Sequence, residues 1–160
     1  MQKFEGISFV WALALLALLA LIYGVRAFLG YRQVAQDAEE DYAFKSKEGM
    51  VDPRLSRDGY IRAYKRYYSP RSKAYIAAAF IAVLALTAPA FAVINFALEQ
   101  LWIATGRDPI YQPGFFVWQF MIFFGIIATW ATTVYFIARR YYAKAPVSFK
   151  RELVREYGEE

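Results

Sequence analysis

Three stretches of the chain, residues 6–25, 74–98 and 110–138, are almost wholly apolar and carry no charged side chain, and basic residues crowd around their ends. Each is long enough to cross a hydrocarbon core of about 30 Å, which takes about 20 residues at roughly 1.5 Å per residue. Their internal pattern is not that of a soluble helix, which sets an apolar stripe against a polar face. Residues 11–25 read WALALLALLALIYGV and residues 120–128 read FMIFFGIIA, with the Tyr23 hydroxyl the single polar group between them. The pattern predicts an all-α integral membrane protein with three transmembrane helices, an amphipathic cytoplasmic segment and a short C-terminal helix. The expected divisions are a first span within 1–31, a basic loop over 32–73 with an interfacial helix near 58–68, and a second span over 74–98. A short connector (99–114), expected to turn tightly at Gly106, Pro109, Pro113 and Gly114, a third span (115–138) and a tail (139–160) complete the chain.

Between the first two spans the residues beyond Arg32 continue the helix and change character at Gly49, and Val51-Asp52-Pro53 breaks it. Ser56 is placed to cap the helix that follows. There, Tyr60, Tyr64, Tyr67 and Tyr68 share a broad side with Ile61, while Arg62, Lys65 and Arg66 surround the other. Such a segment is expected to dock on lipid or on protein, as an in-plane helix with its rings in the headgroup zone and its cations over anionic phospholipid. In the tail, Ser148 is the expected cap of a helix carrying Phe149, Leu153 and Tyr157 on one side, too short to be stable undocked.

Charge fixes the expected sidedness. The loop from Gly30 to Lys73 has ten Lys or Arg against seven acids, and the tail from Arg139 has six more bases, whereas the connector has only Arg107 beside Glu99 and Asp108. Basic residues near span ends favour the cytoplasmic side, so the loop and tail are expected inside and the connector and amino terminus outside. The first stretch is not read as a cleaved signal peptide, because its flanks are weakly charged before and basic after, at Arg26 and Arg32. A bacterial cytoplasmic membrane is the expected location.

Composition removes several classes of function. The chain has no Cys and no His, which excludes disulfides, the usual zinc sites, iron–sulfur clusters, His-ligated haem and Cys–His or Ser–His catalysis. A net charge of +5 taken alone suits nucleic acid, but the bases mark span ends and nucleic acid is not an expected partner. Asp37, Glu39, Glu40 and Asp41 point to several helix faces and are read as a solvated mixed-charge surface rather than a metal site. No catalytic, cofactor or metal site is expected.

What remains is a set of packing features. Ala78, Ala82 and Ala85 form a small surface for close helix approach, Pro89 is expected to bend the second span, and Asn95 and Gln119 are expected to hydrogen-bond between helices. Gly125, Thr129 and Thr132 form a second small face, and Arg26 is expected to anchor the inner end of the first span by reaching lipid phosphates. No ionisable group lies at depth, where coupled transport usually relies on one. The expected function is therefore a non-catalytic accessory, stabilising or assembly subunit of a larger integral-membrane complex, an energy-transducing one by analogy, with other membrane subunits as partners. The alternative is a small oligomeric transporter or channel component built around Pro89, Asn95 and Gln119. A membrane enzyme ranks below both, since Asp52, Asp58, Lys65 and Arg66 share no identifying spacing.

The sidedness has a direct test. With Ser46→Cys, Thr105→Cys and Ser148→Cys introduced singly into this cysteine-free chain, an impermeant thiol reagent should label sealed cells at position 105 alone. Labelling at 46 or 148 would reverse the assignment.

Overall fold

A computed structural model describes the backbone of residues 2–157 and the side chains of residues 10–156. The side chains of Lys3, Glu5 and Tyr157, which entered the charge and face arguments, lie outside the described residues. The described chain is helical throughout: α1 (Gln2–Lys47), α2 (Arg57–Tyr68), α3 (Arg71–Ala104), a single 3-10 turn (Pro109–Tyr111), α4 (Phe116–Ala143) and α5 (Phe149–Tyr157). Helices α1, α3 and α4 are each long and apolar enough to cross a membrane. The chain divides into two compact units, one of α1 as far as Ala20 with Ala77–Arg139, the other of Leu21–Ile76 with the chain from Arg140 onward.

In the first unit α3 and α4 run antiparallel, because partners pair in descending order. The Trp118 indole N–H donates to Asn95 Oδ1 at 3.1 Å, and that of Trp130 donates to Thr87 Oγ1 at 3.0 Å. Between these bonds Gly125 meets Ile94 so closely that a Cβ on the glycine would stand 2.7 Å from Ile94 Cδ1. Ala77, Val83, Thr87 and Leu98 of α3 and Trp118 and Ile126 of α4 are buried. Helix α3 runs through Pro89 without interruption. Two turns of this unit hold their own polar atoms: Thr129 Oγ1 donates to Gly125 O at 2.8 Å and Thr133 Oγ1 to Thr129 O at 2.8 Å. Such back-bonding lets a hydroxyl sit in an apolar helix without an outside partner.

Most of this unit's large side chains nevertheless face outward. Trp11 is 70% exposed, Phe116 66% and Val93 67%, part of an apolar surface much larger than scattered single side chains would make. The connector after α3 is as tight as its composition predicts. Gly106 (φ 72°) and Arg107 (φ 64°) both take the left-handed conformation, and the Arg107 N–H reaches back to Trp102 O at 2.9 Å. Asp108 Oδ1 then accepts from Ile110 N at 2.9 Å to start the 3-10 turn.

The second unit gathers the polar ends. Helix α1 ends at a left-handed Gly49 (φ 69°), with Met50 N–H donating to Lys45 O at 2.9 Å. Such an ending satisfies carbonyls the helix leaves open. Both predicted caps form: Ser56 Oγ accepts from Gly59 N at 3.1 Å and Ser148 Oγ from Arg151 N at 3.2 Å. Pro70 packs onto Gly30 of α1, where a Cβ would stand 2.9 Å from the proline ring, so that position must be glycine for this approach. The α3 start and α4 end meet through Tyr75 and Tyr141, 5.3 Å apart, and through Arg71, whose guanidinium donates to the Lys144 carbonyl.

Gly125 and Ala78 make a pair of contrasting tests. Gly125→Leu forces its side chain into Ile94 and should destabilise the isolated protein by about 1–3 kcal/mol, the usual cost of overpacking. Ala78 faces outward, so Ala78→Leu should leave thermal unfolding in detergent unchanged. Equal midpoints for the two variants would contradict the α3–α4 packing.

Candidate functional site

The second unit holds the densest polar chemistry in the described chain, and it is built by three helices. Helix α2 presents Arg62 and Arg66 one turn apart, and α5 presents Glu152 and Glu156 at the same spacing. Residues four apart share a helix face, so two complementary pairs can meet when the helices pack. Arg62 approaches Glu156 Oε2 with Nε at 2.9 Å and Nη2 at 2.8 Å. Arg66 completes the set with Nη2 at 3.0 Å from Glu156 Oε1 and Nη1 at 3.3 Å from Glu152 Oε2. Glu156 is fully buried, yet the arginine side chains stay 53% and 33% exposed. The carboxylate therefore depends on the guanidinium groups for its charge balance, while they still have water.

An aromatic cage closes the other end of the contact. The Phe149 ring of α5 lies 5.7–5.9 Å from the rings of Tyr60, Tyr64, Tyr67 and Tyr68. Those distances, with edge-on or tilted planes, are the favoured geometry for aromatic contact. Gly59 faces α5 as well; a Cβ there would stand 3.6 Å from Glu156 Cβ.

Helix α1 fastens α2 from below the cage. Tyr60, only 3% exposed, donates its hydroxyl to Asp41 Oδ2, and Lys45 Nζ donates to both Asp41 Oδ2 and Tyr60 Oη at 3.0 Å. The ammonium also lies 5.7 Å from the centres of the Tyr60 and Phe149 rings. Burial, reinforced by the Asp41 carboxylate that accepts its proton, raises the Tyr60 pKa above the ordinary tyrosine value. Tyr64 is raised in the same direction by burial and by the charges of Asp41 and Asp37. Both phenols therefore remain neutral donors or packing groups at any physiological pH.

The structure redistributes the residues singled out from sequence. Tyr60 and Ile61 face the protein interior, and Arg62 and Arg66 hold carboxylates of the same chain, so this side of α2 is covered by α5 rather than open to headgroups. Lys65, Tyr68 and Arg26 are exposed. Asp41 leaves the solvated acidic surface for the Tyr60 bond, whereas Glu39 stays on it, 3.6 Å from Arg57 with both side chains 60% exposed. Asn95 makes the expected bond between helices, to Trp118. Gln119 does not; its amide donates locally to Gly114 O at 3.3 Å. Gly125 packs on Ile94 within the chain, leaving exposed Thr132 as the outward member of that face. Ala78, Ala85 and Pro89 are exposed and Ala82 half-buried, so the alanine stripe points away from α4.

Sequence reasoning expected the edge of α5 that carries Phe149 to dock, leaving membrane, loop and partner open, and it missed Glu152 and Glu156 as partners of α2 and Trp118 and Trp130 as donors to α3. The matching four-residue spacing of Arg62/Arg66 and Glu152/Glu156 was the available signal for the first set. A shallow apolar groove lies on α4, lined by Phe116, Val117, Phe120, Met121 and Phe124. It carries no polar group to orient a ligand.

No protein-family model, curated protein or solved structure matches this chain.

The unequal burial of the ion pairs predicts unequal mutational costs. Arg62→Gln with Arg66→Gln strands a buried carboxylate and should cost about 3–5 kcal/mol of α5 docking, the penalty for a buried charge that loses its partner. Glu156→Gln leaves arginines that water can solvate and should cost markedly less. Hydrogen exchange of α5 amides will rank the two, and the reverse order would contradict the burial argument.

Proposed function

We propose that this chain is a three-span protein of a bacterial cytoplasmic membrane, amino terminus outside and tail inside, acting as a non-catalytic accessory or assembly subunit of a larger integral-membrane complex. The observation that carries the reading is the division of labour on α3. Its polar groups turn inward, Thr87 to Trp130 and Asn95 to Trp118, while Ala78, Ala85 and Pro89 turn outward with Ala82 at the edge. Polar groups that already hold partners within the chain are poorly placed to line a path for ions or solutes. A small-residue face, by contrast, allows another helix to approach closely in lipid, where association relies on van der Waals packing. The exposed apolar side chains of α1, α3 and α4 supply the remaining surface for lipid or for neighbouring subunits. Anionic phospholipid is the proposed contact of the exposed cations Arg26 and Lys65 at the inner boundary.

Ala78→Leu combined with Ala85→Leu should reduce co-purification of partner subunits severalfold from mild detergent, with insertion and the stability of the isolated chain unchanged. Deletion of the protein should lower the amount of assembled complex more than the turnover of each complex that survives. Robust transport or catalysis by the isolated, reconstituted chain would replace this reading with the transporter or enzyme alternative.

A further inference from the structure

The clasp between α2 and α5 combines three properties that together make it a switch. First, α5 has nine residues, too few to hold a helix in water by itself, so its order depends on docking. It is tied to α4 by residues 144–148 alone, which include Pro146. Second, the side chains of Arg62 and Arg66 remain 53% and 33% exposed, so an anion has a route to them before α5 moves. Third, Glu156 is buried and depends on those two groups. Turning the arginines toward another anion leaves a buried carboxylate without its counter-charge, which is strongly unfavourable. Capture of the arginines and undocking of α5 are therefore coupled.

We infer that α5 masks an anionic-phospholipid site on α2, and that lipid phosphates on Arg62 and Arg66 displace Glu152 and Glu156 and release the helix. The inference rests on the proposed membrane reading. Under that reading both elements lie close to the bilayer surface through their connections: α2 ends at Tyr68, three residues before α3 begins at Arg71, and α5 starts six residues after α4 ends at Ala143. Phosphate oxygens suit this site because guanidinium groups take phosphate and carboxylate by the same forked geometry. Releasing α5 also uncovers the rings of Tyr64 and Tyr67 beside the arginines and Lys65. That is the ring-and-cation face that suits the headgroup layer, whereas a soluble anion would gain nothing from the rings. The freed α5, with exposed Val154 and its two carboxylates, becomes available to a partner only where the membrane surface is anionic.

The test uses the full chain carrying spin labels at Asp58→Cys and Val154→Cys, exposed positions outside the clasp, in lipid nanodiscs. In phosphatidylcholine alone a single short distance between α2 and α5 is expected. Adding phosphatidylglycerol should create a longer-distance population, raising the ratio of released to docked helix by roughly thirtyfold, as expected for two bases meeting an anionic surface. Glu156→Gln, whatever its starting ratio, should show a smaller response to phosphatidylglycerol, because no buried charge is then stranded. A distance unchanged by phosphatidylglycerol, an undiminished response in Glu156→Gln, or equal release by inorganic phosphate over neutral lipid would each overturn the lipid switch while leaving the membrane reading intact. Failure of the chain to enter nanodiscs would overturn the membrane reading itself.

Discussion

Helices α1, α3 and α4 turn most of their apolar side chains outward, and this constrains every polar atom placed among them. Once buried, an unpaired donor or acceptor costs several kcal/mol, so a partner within the chain is strongly favoured for each. The first unit meets most of that demand locally, the buried Trp102 indole N–H being left without a partner among the described residues. Thr129 and Thr133 bond back to their own helix, and Thr87 both donates to Val83 O at 2.7 Å and accepts from Trp130. The indoles of Trp118 and Trp130 are doing two jobs at once, since each fills volume between α3 and α4 and supplies the one donor its polar neighbour needs. Gly125 adds the close approach that brings the helices within reach of those bonds.

The second unit answers a different problem. Its helices are short and highly charged, and they cannot rely on apolar area alone. Ring contacts around Phe149 supply a small core, and charge pairs at matched spacing orient α5 on α2. Exposed pairs such as Arg57 with Glu39 contribute little. The buried carboxylate of Glu156 is of another kind, because its pairing is a condition of burial rather than an addition to stability. A contact of that type specifies one arrangement and fails abruptly when a partner is diverted, which suits a docked segment meant to come away.

The span pattern and the helix caps were legible because they depend on neighbouring residues. Ser56 and Ser148 precede helices whose first N–H groups need acceptors, and both provide them. The tight connector followed in the same way from Gly106, Pro109, Pro113 and Gly114. Tyrosines and bases alternating on α2 were legible as an amphipathic face, but the identity of what covers that face was not. Phe149 and Glu156 lie more than eighty residues further along, and no local rule connects them to Tyr60 or Arg62.

Sequence alone thus determined three helices long and apolar enough to cross a membrane, their polar punctuation, and the absence of cysteine and histidine chemistry, because periodicity, capping and composition act within a few residues. Tertiary structure decided which polar groups meet: Asn95 with Trp118, Thr87 with Trp130, Asp41 with Tyr60, and two arginines with one buried glutamate. It also decided that Gly125 packs inside while the alanine stripe of α3 faces out. Those pairings depend on the rotation of each helix about its axis and on its register against its neighbour. Uniformly apolar helices leave both unspecified in sequence, since almost any face would serve equally well in lipid.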